Sequence, residues 1–100
     1  MWYLYIIENK LGHLYTGITK DVEKRFEEHR SGGPKGAKAL RGKGPLTLRF
    51  QMQVQDHSLA LKAEMWVKRQ TRVNKLRLIE KQLCLPEAFL QKSEAESKDV

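Results

Sequence analysis

Ten consecutive residues, Leu46-Thr47-Leu48-Arg49-Phe50-Gln51-Met52-Gln53-Val54-Gln55, alternate apolar and polar without a break. Successive side chains of a strand point to opposite sides, so this run fits a strand with one apolar and one polar face, and not an amphipathic helix. Such a strand needs partners. An antiparallel sheet covered by helices on one side buries the apolar face and leaves the polar one for water or a substrate. Trp2-Tyr3-Leu4-Tyr5-Ile6-Ile7 supplies one partner, with Trp2, Leu4 and Ile6 on one face and Tyr3, Tyr5 and Ile7 on the other. Leu14–Thr19 supplies a second, after the turn-forming stretch Glu8–His13, and the two predict an antiparallel hairpin. That pairing brings Tyr3-Leu4-Tyr5 beside Tyr15-Thr16-Gly17. Tyrosines so placed serve hairpin packing as readily as chemistry.

Three segments read as helices. Asp21–Arg30 opens with acidic residues suited to a helix N-terminus and stops at Ser31-Gly32-Gly33-Pro34. Val22 and Phe26 are spaced to pack on the sheet. Arg25 and His29, also four apart, share a neighbouring face from which both could reach one phosphate, although an exposed face with Arg25 paired to a glutamate has the same spacing. A second helix, from about Leu59 to Gln70 behind the cap candidates Asp56-His57-Ser58, is apolar around most of its circumference and is interrupted by Glu64. A carboxylate in those surroundings needs a cationic side chain or a metal ion. In the third, Val73, Leu76, Ile79 and Leu83 follow helical spacing, Arg72, Lys75, Arg77 and Lys81 form a basic outer face, and Leu85-Pro86 marks the end.

Between the first helix and the long strand, Gly32 to Gly44 holds five glycines with Lys35, Lys38, Arg41 and Lys43 and no acid. Glycines let a backbone come close to a partner, and basic side chains with free N–H groups suit phosphates. Ala39-Leu40 offers an apolar anchor, in the form of a helical turn. No Walker lysine and serine follow the glycines, which excludes a nucleoside-triphosphate P-loop.

One hundred residues make one domain with a single modest core. The formal charge is +7 and the isoelectric point about 9.7, which points to a polyanion, most simply nucleic acid. Residues 1–85 carry seventeen Lys and Arg against eight Asp and Glu, and the last fifteen carry two against four. The expected division is a domain over 1–85 and a tail over 86–100, disordered from about 91. Cys84 is the only cysteine, so neither a disulfide framework nor a thiolate zinc site is available. Met1–Ile7 is too short for a signal-peptide core and nothing later has the length of a membrane span, so a soluble cytoplasmic protein is expected.

Taken together, Tyr3-Leu4-Tyr5, Tyr15-Thr16-Gly17, Arg25 and His29 in Lys24–His29, the basic glycine-rich stretch and Glu64 after Ala63 resemble the GIY-YIG nuclease domain over residues 1 to 80. In size and layout the chain is most similar to the small stand-alone bacterial members of the YhbQ-like group, with no separate DNA-targeting domain following. The resemblance implies an α/β fold in the broad (α+β) sense: a small, mainly antiparallel three-stranded sheet flanked by about three helices. It implies a metal-dependent endonuclease that hydrolyses DNA phosphodiester bonds, is structure-selective and is linked to DNA repair or recombination. The alternative is a nucleic-acid-binding module that does not cut, or cuts only with a partner protein. Carried over residue by residue, Glu64 binds one Mg²⁺ or Mn²⁺, Arg25 stabilises charge on the phosphorus, and Tyr5, Tyr15 or His29 handles the proton of the attacking water. Tyr3, Gly17, Lys35, Lys38, Arg41 and Lys43 are the substrate-binding candidates. Tyr3 stands where the family name has glycine, and Thr16 where it has isoleucine.

Overall fold

The computed structural model describes residues 1–86. Its elements in chain order are β1 (Trp2–Glu8), β2 (Leu14–Thr19), α1 (Val22–Ser31), a single 3-10 turn (Lys38–Leu40), β3 (Thr47–Val54), α2 (His57–Lys68) and α3 (Arg72–Ile79). The three strands form one antiparallel sheet in the order β2-β1-β3. This is the three-stranded, three-helix α+β architecture expected from the pattern. The tail expected to be disordered from about 91 lies outside the described residues.

The β1–β2 hairpin closes through Asn9, whose side-chain oxygen accepts from the Leu11 and His13 amides at 2.9 and 3.0 Å, while Gly12 takes the left-handed conformation at φ +83°. Each helix starts on a short polar side chain that accepts from an amide one turn on: Asp21 from Lys24, Asp56 from Leu59 and Thr71 from Asn74. Gly32, at φ +71°, closes α1 by donating its amide to the His29 carbonyl.

Strand β1 is the central strand and is buried on both faces. On one face, Leu4 and Ile6 pack with Val54, Leu59, Ala60, Ala63, Val67, Leu78 and Leu85 under α2 and α3. On the other, Tyr5 and Ile7 pack with Leu40, with Tyr15, Phe26 and Leu48 at the margin. The sheet is therefore covered on both sides, and this changes how β3 is used. Between Ile6 and Ile7 the register steps by one, so Ile6 lies opposite Phe50 while Ile7 lies opposite Leu48. Arg49 is the extra residue of the resulting bulge, and its guanidinium pairs with Glu8. The unbroken alternation from 46 to 55 suggested one apolar face along the whole strand. The bulge instead sends Phe50, Met52 and Val54 to the helix-covered side and Leu46 and Leu48 to the Tyr5 side.

Two helices also differ from the pattern reading. In α2 the buried residues are Leu59, Ala60, Ala63 and Val67, a single stripe, while Leu61 and Met65 are exposed. The apolar residues off that stripe have no layer to meet, because only one side of α2 faces the sheet. The third helix ends at Ile79 rather than at Leu85-Pro86. Lys81 enters the left-handed region at φ +63°, and the Gln82 amide bonds back to the Arg77 carbonyl at 2.8 Å. Leu78 and Leu85, not Val73, are the buried residues here, since the chain must turn for Leu85 to reach the core.

Thr16 lies opposite Ile6 on the side covered by α2 and α3, 4% exposed, and its hydroxyl has no hydrogen-bond partner among the described residues. A buried unpaired hydroxyl costs stability that an isosteric methyl does not. Thr16→Val is expected to stabilise the fold by about 1 kcal/mol, measured as a higher midpoint with unchanged slope in urea unfolding.

Candidate active site

The side of the sheet away from α2 and α3 gathers most of the chemistry. Tyr5, in the middle of β1, lies opposite Gly17 in β2, and Tyr15 lies opposite Ile7 two residues along. Period-two geometry puts both tyrosines on this face, and their ring centroids are 6.4 Å apart. A Cβ on Gly17 would sit 2.4 Å from the Tyr5 hydroxyl oxygen and 2.6 Å from the ring carbon that bears it. The room that Gly17 was expected to leave for substrate is taken by the protein's own Tyr5 ring, so Gly17 shapes the site instead of lining it.

Helix α1 adds His29 and Arg25. His29, in the last turn, is 2% exposed, and its Nε2 lies 3.0 Å from the Tyr5 hydroxyl. The Ala37 amide donates to its Nδ1 at 3.1 Å, and the edge of its ring meets Tyr15 with centroids 5.5 Å apart. His29 therefore cannot reach a phosphate alongside Arg25, as their shared spacing had suggested. Arg25 is the member of the pair at the surface, its side chain 30% exposed. Its Nη1 donates to Glu28 at 2.9 Å and to the Lys35 carbonyl at 2.6 Å.

Electrostatics follow from this packing. Burial pushes the Tyr5 phenol up to about 12, helped by Tyr15 and Glu64 and opposed by the Arg25 guanidinium. Tyr5 is a neutral phenol at physiological pH. Burial, and then the Arg25 charge, hold His29 below its ordinary 6.5 against the pull of Glu28, so its imidazole is neutral as well.

Glu64 comes from α2, on the other side of the sheet, and is the last and smallest of the influences on Tyr5. Its side chain is 18% exposed and its ion-pair partner is Lys68, one turn on, at 3.3 Å. The cationic partner that a carboxylate in this helix requires is thus present. Among the described residues there is no cluster of three or more His, Cys, Asp or Glu able to hold a metal ion.

The basic loop meets this group through its backbone, the Lys35 carbonyl at Arg25 and the Ala37 amide at His29. Lys35, Lys38 and Arg41 are exposed and Lys43 is half-buried. The expected apolar anchor is present, with the turn at Lys38–Leu40 and Leu40 buried at 3%. A cavity of about 440 Å³ opens between the end of α1 and the loop, with His29, Leu40 and Gly42 in its wall. Tyr3, on the Tyr5 face, lines a second cavity of about 270 Å³ with Lys20 and Gln51. Sequence reasoning allowed for a glutamate beside Arg25 and a cationic partner for Glu64 without naming Glu28 and Lys68, which stand at helical spacing from them. It missed Ala37, which acts through its backbone and has no side-chain signature.

The family model described as the GIY-YIG catalytic domain matches residues 1–77. The chain belongs to the GIY-YIG family. It is 59% identical over 78 residues to the UPF0213 protein YhbQ of Escherichia coli O8 (strain IAI1), covering 78% of this chain and 76% of the relative. The YhbQ protein of Shigella boydii serotype 18 matches over the same length at 58% identity. Among solved structures, the solution NMR structure of the UPF0213 protein BH0048 from Bacillus halodurans is similar, with a TM-score of 0.52 and 41% identity over 80% of this chain and 84% of that one. This GIY-YIG domain carries its two tyrosine motifs, Tyr3-Leu4-Tyr5 and Tyr15-Thr16-Gly17, on adjacent strands. No helix among its described residues is long and apolar enough to cross a membrane.

Two outcomes test the geometry. Gly17→Ala is expected to cost about 1 to 3 kcal/mol, because the added methyl meets a buried ring that is hydrogen-bonded to His29; urea unfolding measures it, together with a shifted Tyr5 ring resonance. For His29, folded and unfolded chains are both neutral above 6.5. Below that the unfolded chain binds a proton that the folded chain resists, so stability falls as pH drops through the lowered folded value. Unfolding free energy measured from pH 8 to pH 4 is expected to lose part of this slope in His29→Gln.

Proposed function

We propose that this GIY-YIG domain, over residues 1–85, is a metal-dependent endonuclease that hydrolyses DNA phosphodiester bonds. The observation that carries the reading is the convergence of Tyr5, Tyr15, His29 and Arg25, from β1, β2 and α1, on one face of the sheet. Phosphodiester hydrolysis needs a route for the proton of water and a cation for the charge that builds on phosphorus. Arg25 supplies the cation. Its bond to Glu28 lies at the surface, where a phosphate can replace the carboxylate, and its planar fork matches two phosphate oxygens. Tyr15 meets the attacking water, since no hydrogen bond among the described residues engages its hydroxyl, and the proton that the water loses passes to a phosphate oxygen or to solvent. Tyr5, held neutral by burial, orients that water or the phosphate as a donor.

Glu64 would hold the metal. Its carboxylate is part-exposed, and its ion-pair partner is a flexible lysine that a divalent ion can displace. One carboxylate suits Mg²⁺ or Mn²⁺, which keep several waters and bind substrate phosphate. Such an ion supplies Lewis-acid neutralisation of phosphate charge. Lys35, Lys38, Arg41 and Lys43 would follow the DNA backbone beyond the cut, with Tyr3 beside it on the sheet. A preference for branched DNA would tie the activity to repair or recombination in the cytoplasm.

The second reading is a binding module that cuts only with a partner protein, favoured by the engagement of Arg25 with Glu28. Labelled single-stranded, duplex, flap and four-way DNA, incubated with Mg²⁺, Mn²⁺ or EDTA, separates the two. Metal-dependent cutting is expected, with Arg25→Ala and Glu64→Ala each slowing it by at least about 10²-fold. Equal cutting by wild type and variants would sink the residue assignment. Binding that weakens steeply with salt, with no cutting, would move the function to the second reading.

A further inference from the structure

We propose that the glycine-rich loop is a positioning element of the site: the Ala37 backbone amide fixes His29 in its Nε2–H form, making His29 a hydrogen-bond donor to Tyr5 and not a proton acceptor. A neutral imidazole carries one N–H, and the other nitrogen can only accept. The Ala37 amide can only donate, and it points at Nδ1 from 3.1 Å. The ring proton must therefore sit on Nε2, where it faces the Tyr5 oxygen at 3.0 Å. The opposite form would set two N–H groups against each other at Nδ1, and so would the imidazolium.

The loop reaches His29 because of Gly36. A Cβ there would lie 2.7 Å from the Glu28 carbonyl oxygen and 3.2 Å from the His29 Cα, both backbone atoms of α1 with no freedom to move aside. On either side of Ala37 the loop is pinned, by the Arg25 bond to the Lys35 carbonyl and by Leu40, buried in the same cluster as Tyr5 and Ile7. The charged and titratable groups facing His29 are Tyr5 from β1, Tyr15 from β2, and Arg25 and Glu28 from its own helix. The loop brings its backbone and the apolar Leu40 side chain, and none of its charged groups is among those acting on His29. With His29 donating, the Tyr5 oxygen is an acceptor on that side and its own proton points elsewhere. The catalytic meaning rests on the nuclease reading: Tyr5 then donates toward water or phosphate, and the proton lost by water does not pass to His29.

The test is a long-range proton–nitrogen correlation spectrum of the ¹⁵N-labelled full chain at neutral pH without DNA. The expected pattern is an unprotonated Nδ1 and a protonated Nε2 on His29, widely separated in nitrogen shift. A protonated Nδ1 would overturn the proposal. Tyr5→Phe, which removes the other partner, is expected to leave the pattern unchanged, because the tautomer is set at Nδ1; a switch of tautomer in that variant would show that Tyr5 sets it and would also overturn the proposal. Gly36→Ala, where folded, is expected to lose the separation as the amide withdraws, and retention of the full pattern would count against the loop. None of these spectra needs cleavage, so a failed nuclease assay and a failed tautomer assignment are distinguishable.

Discussion

Burial of β1 on both faces is the constraint on which the remaining structure depends. A strand with Leu4 and Ile6 on one side and Tyr5 and Ile7 on the other needs an apolar cover above and below, and the described residues hold three helices to provide it. Two of them, α2 and α3, form the larger cover. The other side receives α1 and the 3-10 turn, with a smaller cluster in which three polar ring side chains, Tyr5, Tyr15 and His29, stand where aliphatic residues would give a plain core. The bulge at Arg49 follows from the same demand. Without it Leu46 and Leu48 would join the larger core and leave the smaller one open beside Ile7.

The smaller core gives the site its chemical character. Burial disfavours charge, so Tyr5 keeps its proton and His29 goes without a second one. Two neutral polar groups in an apolar layer must then satisfy one another, and the Tyr5–His29 bond with the Ala37 amide behind it does so. Arg25, one turn earlier on α1, stands at the edge of that layer and carries the permanent charge. A neutral, ordered interior beside an exposed guanidinium suits a substrate that is itself an anion, because the cation is available at the rim and little inside has to reorganise.

Glycine enters the site twice, each time for a close approach. Gly17 lets the Tyr5 ring cross β2, and Gly36 lets the loop backbone lie against α1. In both places the neighbour is within 3 Å of where a Cβ would be, so even alanine requires something to shift. The tripeptide Tyr15-Thr16-Gly17 thus has a physical logic of its own. Tyr15 joins the aromatic cluster, Thr16 turns to the opposite side of the sheet, and Gly17 vacates the space for the tyrosine of the next strand.

Strand period, turn residues and caps are local properties, and the hairpin at Asn9, the helix starts at Asp21 and Asp56 and the stop at Gly32 were all legible in the chain. The family resemblance was legible for a similar reason, since it rests on residue types at set spacings. What could not be read were properties that depend on what packs opposite. Alternation along residues 46–55 cannot reveal a bulge, because the register is set by β1. The apolar residues around α2 do not announce which stripe meets the sheet, and nothing in Glu80-Lys81-Gln82 marks a helix end that exists so that Leu85 can return to the core. Within the site, Arg25 and His29 share a spacing but not a fate: one lies at the surface and the other is buried against the loop. The sequence by itself determined which groups were available and roughly where along the chain. Only the tertiary structure decided which were buried, charged or hydrogen-bonded, because solvent exclusion and the approach of a backbone amide are made by residues distant in the chain.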